Sequence, residues 1–144
     1  MIRQATAADT VTAAALALQL WPGHTADALV QEFSALLADP ECAVFLAFCG
    51  DLPVGFAQCQ LRHDYVEGTD SSPVGYLEGI YVTETARGKG VARQLLAECE
   101  NWAKTQGCTE FASDCKLDNT ASQRFHAHTG FREANRIICF TKKL

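Results

Sequence analysis

The sequence predicts a single α/β domain with a mixed sheet at its centre. Its 144 residues are about one domain's worth of chain and can bury a sizeable core. Apolar residues make up 48% of the chain and charged residues 20%, which is ordinary for a globular protein. Helical and strand-like stretches follow one another in the order β-α-α-β-β-β-α-β-α-β, with no internal repeat and no linker. We therefore assign residues 1–144 to one domain.

The first half of the chain alternates between helical and extended patterns. Thr6 or Asp9 can cap a first helix, which ends at Trp21 because a Pro-Gly pair follows. A second helix, capped by Thr25, has apolar residues at helical spacing. Two apolar runs on either side of a Gly-Asp turn predict a hairpin. The expected elements are a strand over 2–5, a helix that ends at 21, a helix over 26–39, and strands over 42–48 and 54–61.

The second half begins with a polar segment, Arg62–Pro73, and then returns to the same alternation. A strand and a long helix flank a loop that contains two glycines, and Gly107 ends the helix. A last helix ends at Gly130, and an apolar segment closes the chain. The expected elements are a strand over 76–82, a helix over about 91–106, a strand over 109–113, a helix over 119–129 and a strand over 136–141.

Charge and hydropathy exclude several classes of protein. The net charge of −5, from 12 basic and 17 acidic residues, argues against non-specific binding to nucleic acid or to an anionic membrane. No apolar run approaches the ~20 residues that a membrane span needs. The first ten residues have no apolar core of a secretory signal, so we expect a cytoplasmic location.

Seven cysteines are the unusual feature of the composition. An odd number cannot form a complete set of disulfides, and a reducing cytosol keeps thiols free. There is no C-x-x-C motif and no Cys/His spacing typical of zinc, so we expect no metal site. Cys42, Cys49, Cys59 and Cys139 lie in apolar, strand-like runs, and we interpret most of the cysteines as small core residues without a catalytic role.

The most informative stretch is the loop Arg87–Ala92, which follows an apolar strand and opens a long helix. The first N–H groups of a helix have no internal partner and, with the helix dipole, favour an anion. Glycines let the backbone approach a ligand, and Arg87 and Lys89 add positive charge. The loop lacks the Gly-Lys-Ser/Thr ending of a P-loop and the third glycine of a dinucleotide fingerprint. We therefore interpret the loop as a binding site for a phosphate-bearing ligand of another kind, rather than as an ordinary strand-to-helix turn.

The pattern Arg87-x-x-Gly90-x-Ala92 resembles the acetyl-coenzyme A motif of the GNAT (GCN5-related) N-acetyltransferases, and so does Asn119-x-x-Ser122 followed by Gly130-Phe131. The resemblance extends over essentially the whole chain. It implies the GNAT fold, a mixed, mostly antiparallel twisted sheet flanked by helices, with acetyl-CoA as cosubstrate. The cofactor-binding residues that it implies are Ile80, Tyr81 and Val82 for the pantetheine arm, Arg87, Gly88, Lys89, Gly90, Val91 and Ala92 for the pyrophosphate, and Asn119.

A narrower resemblance is to the aminoglycoside 6′-N-acetyltransferases, a group of bacterial resistance enzymes. It implies an aminoglycoside as acetyl acceptor and a homodimer. The segments that carry it are Leu20–His24, Arg62–Val66, Asp70–Pro73, Leu77–Ile80, Ala112–Asp114 and Asn119–Gln123.

The acidic residues fit a polycationic substrate independently. Glu78 lies within a strand and Asp114 at the end of one, where carboxylates are uncommon unless they are paired or functional. Asp64, Glu67 and Asp70 are individually typical of a solvated loop, but together they can attract a cation. Aromatic and imidazole side chains for the sugar site are Trp21, His24 and Tyr65, although packing at a helix end explains Trp21 equally well.

The expected mechanism is direct attack of the free amine on the thioester. Glu78, directly or through water, is the candidate general base, and Asp114 would orient the amine. A backbone N–H near Ile80 to Val82 would stabilise the developing oxyanion. Many family members carry a tyrosine on the late helix as general acid, and this helix has none. His126 is the candidate replacement, although the thiolate can also leave unprotonated.

Two other functions stay open from the sequence. The chain could be a GNAT enzyme for another amine, such as a polyamine, a small metabolite or a protein N-terminus. It could also be a non-catalytic module that keeps coenzyme A as a ligand, which the presence of Glu78 and Asp114 disfavours.

Overall fold

A five-stranded sheet, with its strands in chain order, forms the centre of the computed structural model, which describes residues 1–144. Neighbouring strands among the first four are antiparallel, and the fifth strand is parallel to the fourth. The predicted mixed, mostly antiparallel sheet is thus confirmed. The strands are β1 (Ile2–Gln4), β2 (Cys42–Cys49), β3 (Leu52–Arg62), β4 (Val74–Val82) and β5 (Phe111–Ser113).

Four helices cover the two faces of the sheet. Two of them pack on one face, where Phe33 meets Phe56 of β3 edge to face. The third packs on the other face, where Leu95 and Cys99 are fully buried against β3 and β4. Thr25 accepts a hydrogen bond from the Ala28 N–H at 3.2 Å, as its predicted role as an N-cap requires. The helices are α1 (Thr10–Leu20), α2 (Ala26–Ala38), α3 (Val91–Thr105) and α4 (Thr120–His128).

The sheet opens along β4. Gly75–Leu77 pair with Phe111–Ser113 of β5, but the remainder of β4, residues 78–82, has β3 on one side and no strand on the other. Glu78 is the extra residue of a bulge, because Gln58 pairs with Gly79 and the next residue of β3 pairs with Leu77. Half of the backbone groups of this stretch therefore point towards an open cleft.

The prediction of a last strand over residues 136–141 is wrong for this chain. No secondary structure follows α4, and the segment contributes no strand to the sheet. Its start lies beside the polar loop instead, where Asn135 Nδ2 donates to Glu67 Oε1 at 3.1 Å. A β-strand needs the backbone of a neighbour, and within this one chain the segment meets none. Ile137, Ile138 and Phe140 are consequently 70%, 80% and 89% exposed.

The cysteines separate into two groups. Cys59, Cys99 and Cys108 are buried, as expected of small core residues. The expectation was wrong for Cys49, which lies at the exposed end of β2, and for Cys139, which lies in the exposed C-terminal segment. All seven thiols are free. None of the four helices is long and apolar enough to cross a membrane.

Candidate active site

The loop before α3, which the sequence predicts to bind an anion, has a backbone geometry compatible with that prediction. Gly88 and Gly90 have φ values of +73° and +78°, a left-handed conformation that other residues rarely adopt. Gly90 is the N-cap of α3, and the first helical hydrogen bond runs from the Gln94 N–H to the Gly90 carbonyl at 3.1 Å. The N–H groups of residues 91–93 therefore have no helical partner and lie at the positive end of the helix dipole.

A cleft of about 200 Å³ lies between this loop and the end of α4. Arg87 Nε donates to the Val82 carbonyl at 3.0 Å, which anchors the loop to the end of β4. Lys89 Nζ donates to the Thr85 carbonyl at 3.1 Å. Both side chains are exposed, and Arg87 lines the cleft together with Val91 and Ala92. The cleft is lined by the loop, by the start of α3 and by Val82, the last residue of the unpaired stretch of β4.

Glu78, at the bulge of β4, is held by an arginine that the sequence did not single out. Both Glu78 oxygens accept from the Arg62 guanidinium: Oε1 from Nε at 3.0 Å and from Nη2 at 2.7 Å, and Oε2 from Nη2 at 3.0 Å. The Glu78 side chain is 21% exposed and that of Arg62 38%, so the pair lies at the surface of the sheet rather than in the core.

Asp114 is linked to the same arginine through Tyr76. The Arg62 guanidinium carbon lies 3.4 Å from the centroid of the Tyr76 ring. The Tyr76 hydroxyl donates a hydrogen bond to Asp114 Oδ2. Burial, and then the hydrogen bond to Asp114, raises the pKa of Tyr76, so its hydroxyl stays a donor. The two candidate carboxylates, Glu78 and Asp114, therefore belong to one connected network.

His126 faces the point where β4 and β5 separate. Its Nδ1 lies 2.7 Å from the Ser122 carbonyl, which can only accept, so Nδ1 carries the proton. Its Nε2 lies 2.9 Å from the Ser113 hydroxyl, at the end of β5. The Ser113 hydroxyl is also 3.3 Å from the carbonyl of Leu77, the last residue of β4 that pairs with β5. His128, in contrast, is exposed and lines the cleft between the end of α4 and the loop before α3.

Trp21 reaches the sheet beside Glu78. A Cβ on Gly79 would lie 2.7 Å from two atoms of the Trp21 ring, so the indole rests directly on the strand. The ring also packs edge to face on Phe56 and lies 6.3 Å from the ring of His24. Trp21 therefore packs at the end of α1, as one of its two interpretations requires, and its place beside a sugar stays a prediction.

The remaining predicted substrate residues lie in an ordered polar loop. Glu110 accepts from the Asp70 N–H at 2.8 Å and from the Ser71 hydroxyl at 2.5 Å. These hydrogen bonds, first that of Ser71 and then that of Asp70, lower the pKa of Glu110. The carboxylate of Asp70 and the ring of Tyr65 are exposed, and nothing in the single chain joins them to Glu78.

Asn119 has a structural role in addition to its predicted place at the cofactor. Its Oδ1 accepts from the Ser122 N–H at 3.0 Å and so caps α4. No group of three or more His, Cys, Asp or Glu side chains is arranged to hold a metal ion.

Sequence reasoning missed three residues of this site: Arg62, Tyr76 and Ser113. Alternation along β4 places Tyr76 and Glu78 on one face, which was a usable signal. Arg62 pairs in register with Val74, so its side chain runs back over Tyr76 to reach Glu78. That contact depends on the strand register, which the sequence did not reveal.

A model of the acetyltransferase (GNAT) family matches residues 11–131 of the chain. The chain belongs to the GNAT acetyltransferase family. The donor substrate of this family is acetyl-CoA, and the loop and open edge described above suit it.

The GNAT chain is also similar to proteins whose acceptor is named. It is 48% identical over 144 residues to the aminoglycoside N(6′)-acetyltransferase type 1 of Stenotrophomonas maltophilia, covering 99% of this chain and 93% of the relative. It is 45% identical over 125 residues to the protein of the same name from Salmonella typhimurium, covering 87% and 86%.

Solved structures of the same group superpose closely on this GNAT fold. AAC(6′)-Iy, in complex with the bisubstrate analogue CoA-S-monomethyl-acetylneamine, has a TM-score of 0.96 at 42% identity and covers 100% of this chain and 98% of its own. The apo aminoglycoside 6′-N-acetyltransferase AAC(6′)-Ig from Acinetobacter haemolyticus has a TM-score of 0.94 at 38% identity, with coverage of 100% and 99%.

Proposed function

We propose that this protein is an aminoglycoside 6′-N-acetyltransferase, which transfers the acetyl group of acetyl-CoA to the 6′-amino group of aminoglycoside antibiotics. The observation that carries the proposal is the position of Glu78. Its carboxylate stands at the bulge of β4, where the strand loses its neighbour and the cleft begins. The similarity to enzymes named for this reaction supports the same acceptor.

The chain's own backbone would bind the donor. The unpaired edge of β4, Ile80 to Val82, suits the amide groups of the pantetheine arm as an added strand would. The N–H groups at the start of α3, Val91 and Ala92, with the charges of Arg87 and Lys89, suit the pyrophosphate. A β4 N–H would stabilise the negative charge that develops on the attacked carbonyl oxygen.

The acceptor amine would lie between Glu78 and Asp114. An ammonium group must lose a proton before it can attack, and Glu78 would take that proton directly or through a water molecule. Asp114 would accept a hydrogen bond from the amine and so orient its lone pair. Trp21 and His24 would border one side of the sugar. Tyr65 and Asp70 would approach from the polar loop, whose acidic residues suit a polycation.

The departing thiolate would receive a proton from the His126 side of the cleft. Both His126 ring nitrogens already have partners within the chain, Ser122 and Ser113. For this step Nε2 of His126 would have to carry a proton as well as Nδ1. Nε2 would give its proton to the Ser113 hydroxyl while that hydroxyl gives its own proton to the thiolate, and the solvent would then return a proton to the ring. This arrangement suits a helix that lacks the usual tyrosine.

The proposed assembly is a homodimer in the cytoplasm. The C-terminal segment exposes Ile137, Ile138 and Phe140, and a second copy of the chain is the partner that would cover them. A segment of alternating strand character without a neighbour in its own chain suits pairing with a partner's sheet. Analytical ultracentrifugation should give twice the chain mass, and Ile138→Glu should shift the protein towards the monomer. A parent that sediments as a monomer at micromolar concentration would contradict the dimer.

The reaction is tested by turnover of acetyl-CoA with kanamycin or tobramycin, beside spermidine and a lysine peptide. We expect turnover with the aminoglycosides and acetylation at the 6′-amino group by mass spectrometry and NMR. Turnover with spermidine or the peptide alone would replace the proposed acceptor with another amine. No turnover with any 6′-amino aminoglycoside would defeat the proposal.

A further inference from the structure

The side chains of Arg62 and Tyr76 connect the two candidate carboxylates of the acceptor site, Glu78 and Asp114. Neither Arg62 nor Tyr76 has a role in the proposed proton transfer. Glu78 accepts three hydrogen bonds from the Arg62 guanidinium, at 2.7 to 3.0 Å. Asp114 accepts one from the Tyr76 hydroxyl. The guanidinium lies flat against the Tyr76 ring, 3.4 Å from its centroid, and so closes the gap between the two pairs.

We propose that Arg62 is a positioning residue for acetyl transfer, which fixes the Glu78 carboxylate and, through Tyr76, the Asp114 carboxylate in one arrangement around the acceptor amine. This inference rests on the proposed function. Arg62 reaches the amine only through its two partners, so its effect should be on geometry rather than on a proton-transfer step.

The planar shape of the guanidinium is what this role requires. Nη2 contacts both Glu78 oxygens and Nε contacts one of them, which fixes the plane of the carboxylate. The hydrogen bonds leave from the edge of the guanidinium, and one face of the group lies over the Tyr76 ring. A lysine would keep the positive charge, but its compact ammonium can neither fix that plane nor stack in the same way.

The position of Glu78 explains why an external holder is needed. The residue lies in a β-bulge and has no paired residue opposite it in β3, so the sheet fixes its direction less firmly than that of its neighbours. Its side chain is also partly exposed to the cleft, at 21%. The only hydrogen bonds that its side chain makes in the structure are those from Arg62. Without them the carboxylate would be free to rotate in the cleft.

The test compares Arg62→Met and Arg62→Lys with a matched control. Arg3 forms a similar ion pair with Asp9, with two hydrogen bonds of 2.7 and 2.8 Å, at the far end of the chain. Arg62→Met should lower kcat with kanamycin on the order of 100-fold, while the KM for acetyl-CoA stays unchanged. Arg62→Lys should recover less than a tenth of the lost rate. Arg3→Met should leave kcat within about twofold of the parent.

The kcat values of double mutants give a second measurement, whose expected result a purely structural role of Arg62 would not produce. Effects of Arg62→Met and Asp114→Asn on kcat should be far from additive, because Tyr76 links the two residues. Effects of Arg62→Met and Arg3→Met should add. If Arg62→Met does not fold, Arg62→Lys carries the test, with an unchanged melting temperature and a kcat lowered at least tenfold.

The outcomes separate the inference from the function on which it rests. A parent without turnover of any 6′-amino aminoglycoside defeats the proposed function and this inference with it. A parent that turns over, together with an Arg62→Met variant of unchanged kcat or an Arg62→Lys variant equal to the parent, defeats the inference alone. A fall in kcat that is matched by Arg3→Met would also overturn it.

Discussion

The indole of Trp21 rests on Gly79 so closely that a methyl group at that position would lie 2.7 Å from two ring atoms. Gly79 follows Glu78 in β4, so the contact joins the end of α1 to the candidate general base. The absence of a side chain at Gly79 is what allows the aromatic wall of the cleft to approach the strand.

Gly79→Ala should therefore displace Trp21 and weaken the proposed acceptor site. We expect the KM for an aminoglycoside to rise about tenfold, while the KM for acetyl-CoA changes little, since one misplaced wall mainly reduces binding of the group that it borders. Steady-state kinetics with each substrate varied in turn measures both constants. Gly23→Ala is the matched control, because a Cβ there meets no atom within 4 Å. Equal effects from the two substitutions would contradict the assigned contact.

Glu78→Gln should lower kcat by roughly 10²- to 10⁴-fold, the usual contribution of a general base. The loss should be greatest at low pH, where the amine of the substrate is protonated and needs the base most. The pH–rate profile of kcat for parent and variant checks this. A variant profile that runs parallel to that of the parent would show that Glu78 is not the base.

Gly90→Val should raise the KM for acetyl-CoA. Gly90 has a φ of +78°, and a β-branched residue there is strained by about 1–3 kcal/mol, so the loop before α3 must change its path. The space around Gly90 is open, so the effect should come from the backbone and not from a clash. Calorimetry of coenzyme A binding should show at least tenfold weaker affinity. Unchanged affinity would place the pyrophosphate elsewhere.

Stability should fall in acid through Asp9. The hydrogen bonds from Arg3 hold the pKa of Asp9 well below its ordinary value. Partial burial opposes this shift, and the hydrogen bonds from the Thr6 N–H and hydroxyl add to it. The pKa of Asp9 is lower in the folded state than in the unfolded state. The contribution of its ion pair to the free energy of unfolding is therefore complete above about pH 4 and is lost as the pH falls below that value.

The Asp9→Asn variant should therefore have a lower melting temperature than the parent at pH 7. The difference in melting temperature between the two proteins should become smaller towards pH 3. Thermal unfolding followed by circular dichroism over this range gives the comparison. The kinetics at pH 7 serve as a control, because Asp9 lies outside the proposed site. A constant difference between the two proteins at every pH would argue against this ion pair as the cause.

Thiol labelling should divide the seven cysteines into classes. The exposed thiols Cys49 and Cys115 should react first, and the three buried thiols only on unfolding. Burial, assisted by Asp39, raises the pKa of Cys42 to about 11, so it should react slowly at pH 8. Cys139 lies in the segment proposed to pair with a second copy, so it should be protected in the dimer. Mass spectrometry of labelled protein should find Cys139 modified fast only at concentrations where the dimer dissociates.

Local pattern was enough to predict most of the fold. The strand over Cys42–Phe48 was predicted from a continuous apolar run, and the helix after Gly90 from its position between a glycine loop and Gly107. The strand contributes side chains to the cores on both faces of the sheet, and the helix packs on one of those faces. The final strand was predicted from equally good local pattern. It failed because a strand is defined by its partner, and residues 136–141 have none in their own chain.

The candidate site shows the same limit. The loop of Gly88 and Gly90 could be recognised because its chemistry is local: an anion site at a helix start. Glu78 could be singled out because a carboxylate inside a strand is unusual. Arg62 could not, because it is an ordinary loop-edge arginine until a bulge sets which residue of β4 it meets.

The hydrogen bond between Glu67 and Asn135, and the approach of Ala134 to Gly68, tie the polar loop to the end of the chain. A Cβ on Gly68 would lie only 2.5 Å from the Cβ of Ala134, so the two segments are in close contact. We expect a substitution in the tail to shift the polar loop, and with it Tyr65 and Asp70 of the proposed acceptor site, without a direct contact to the substrate.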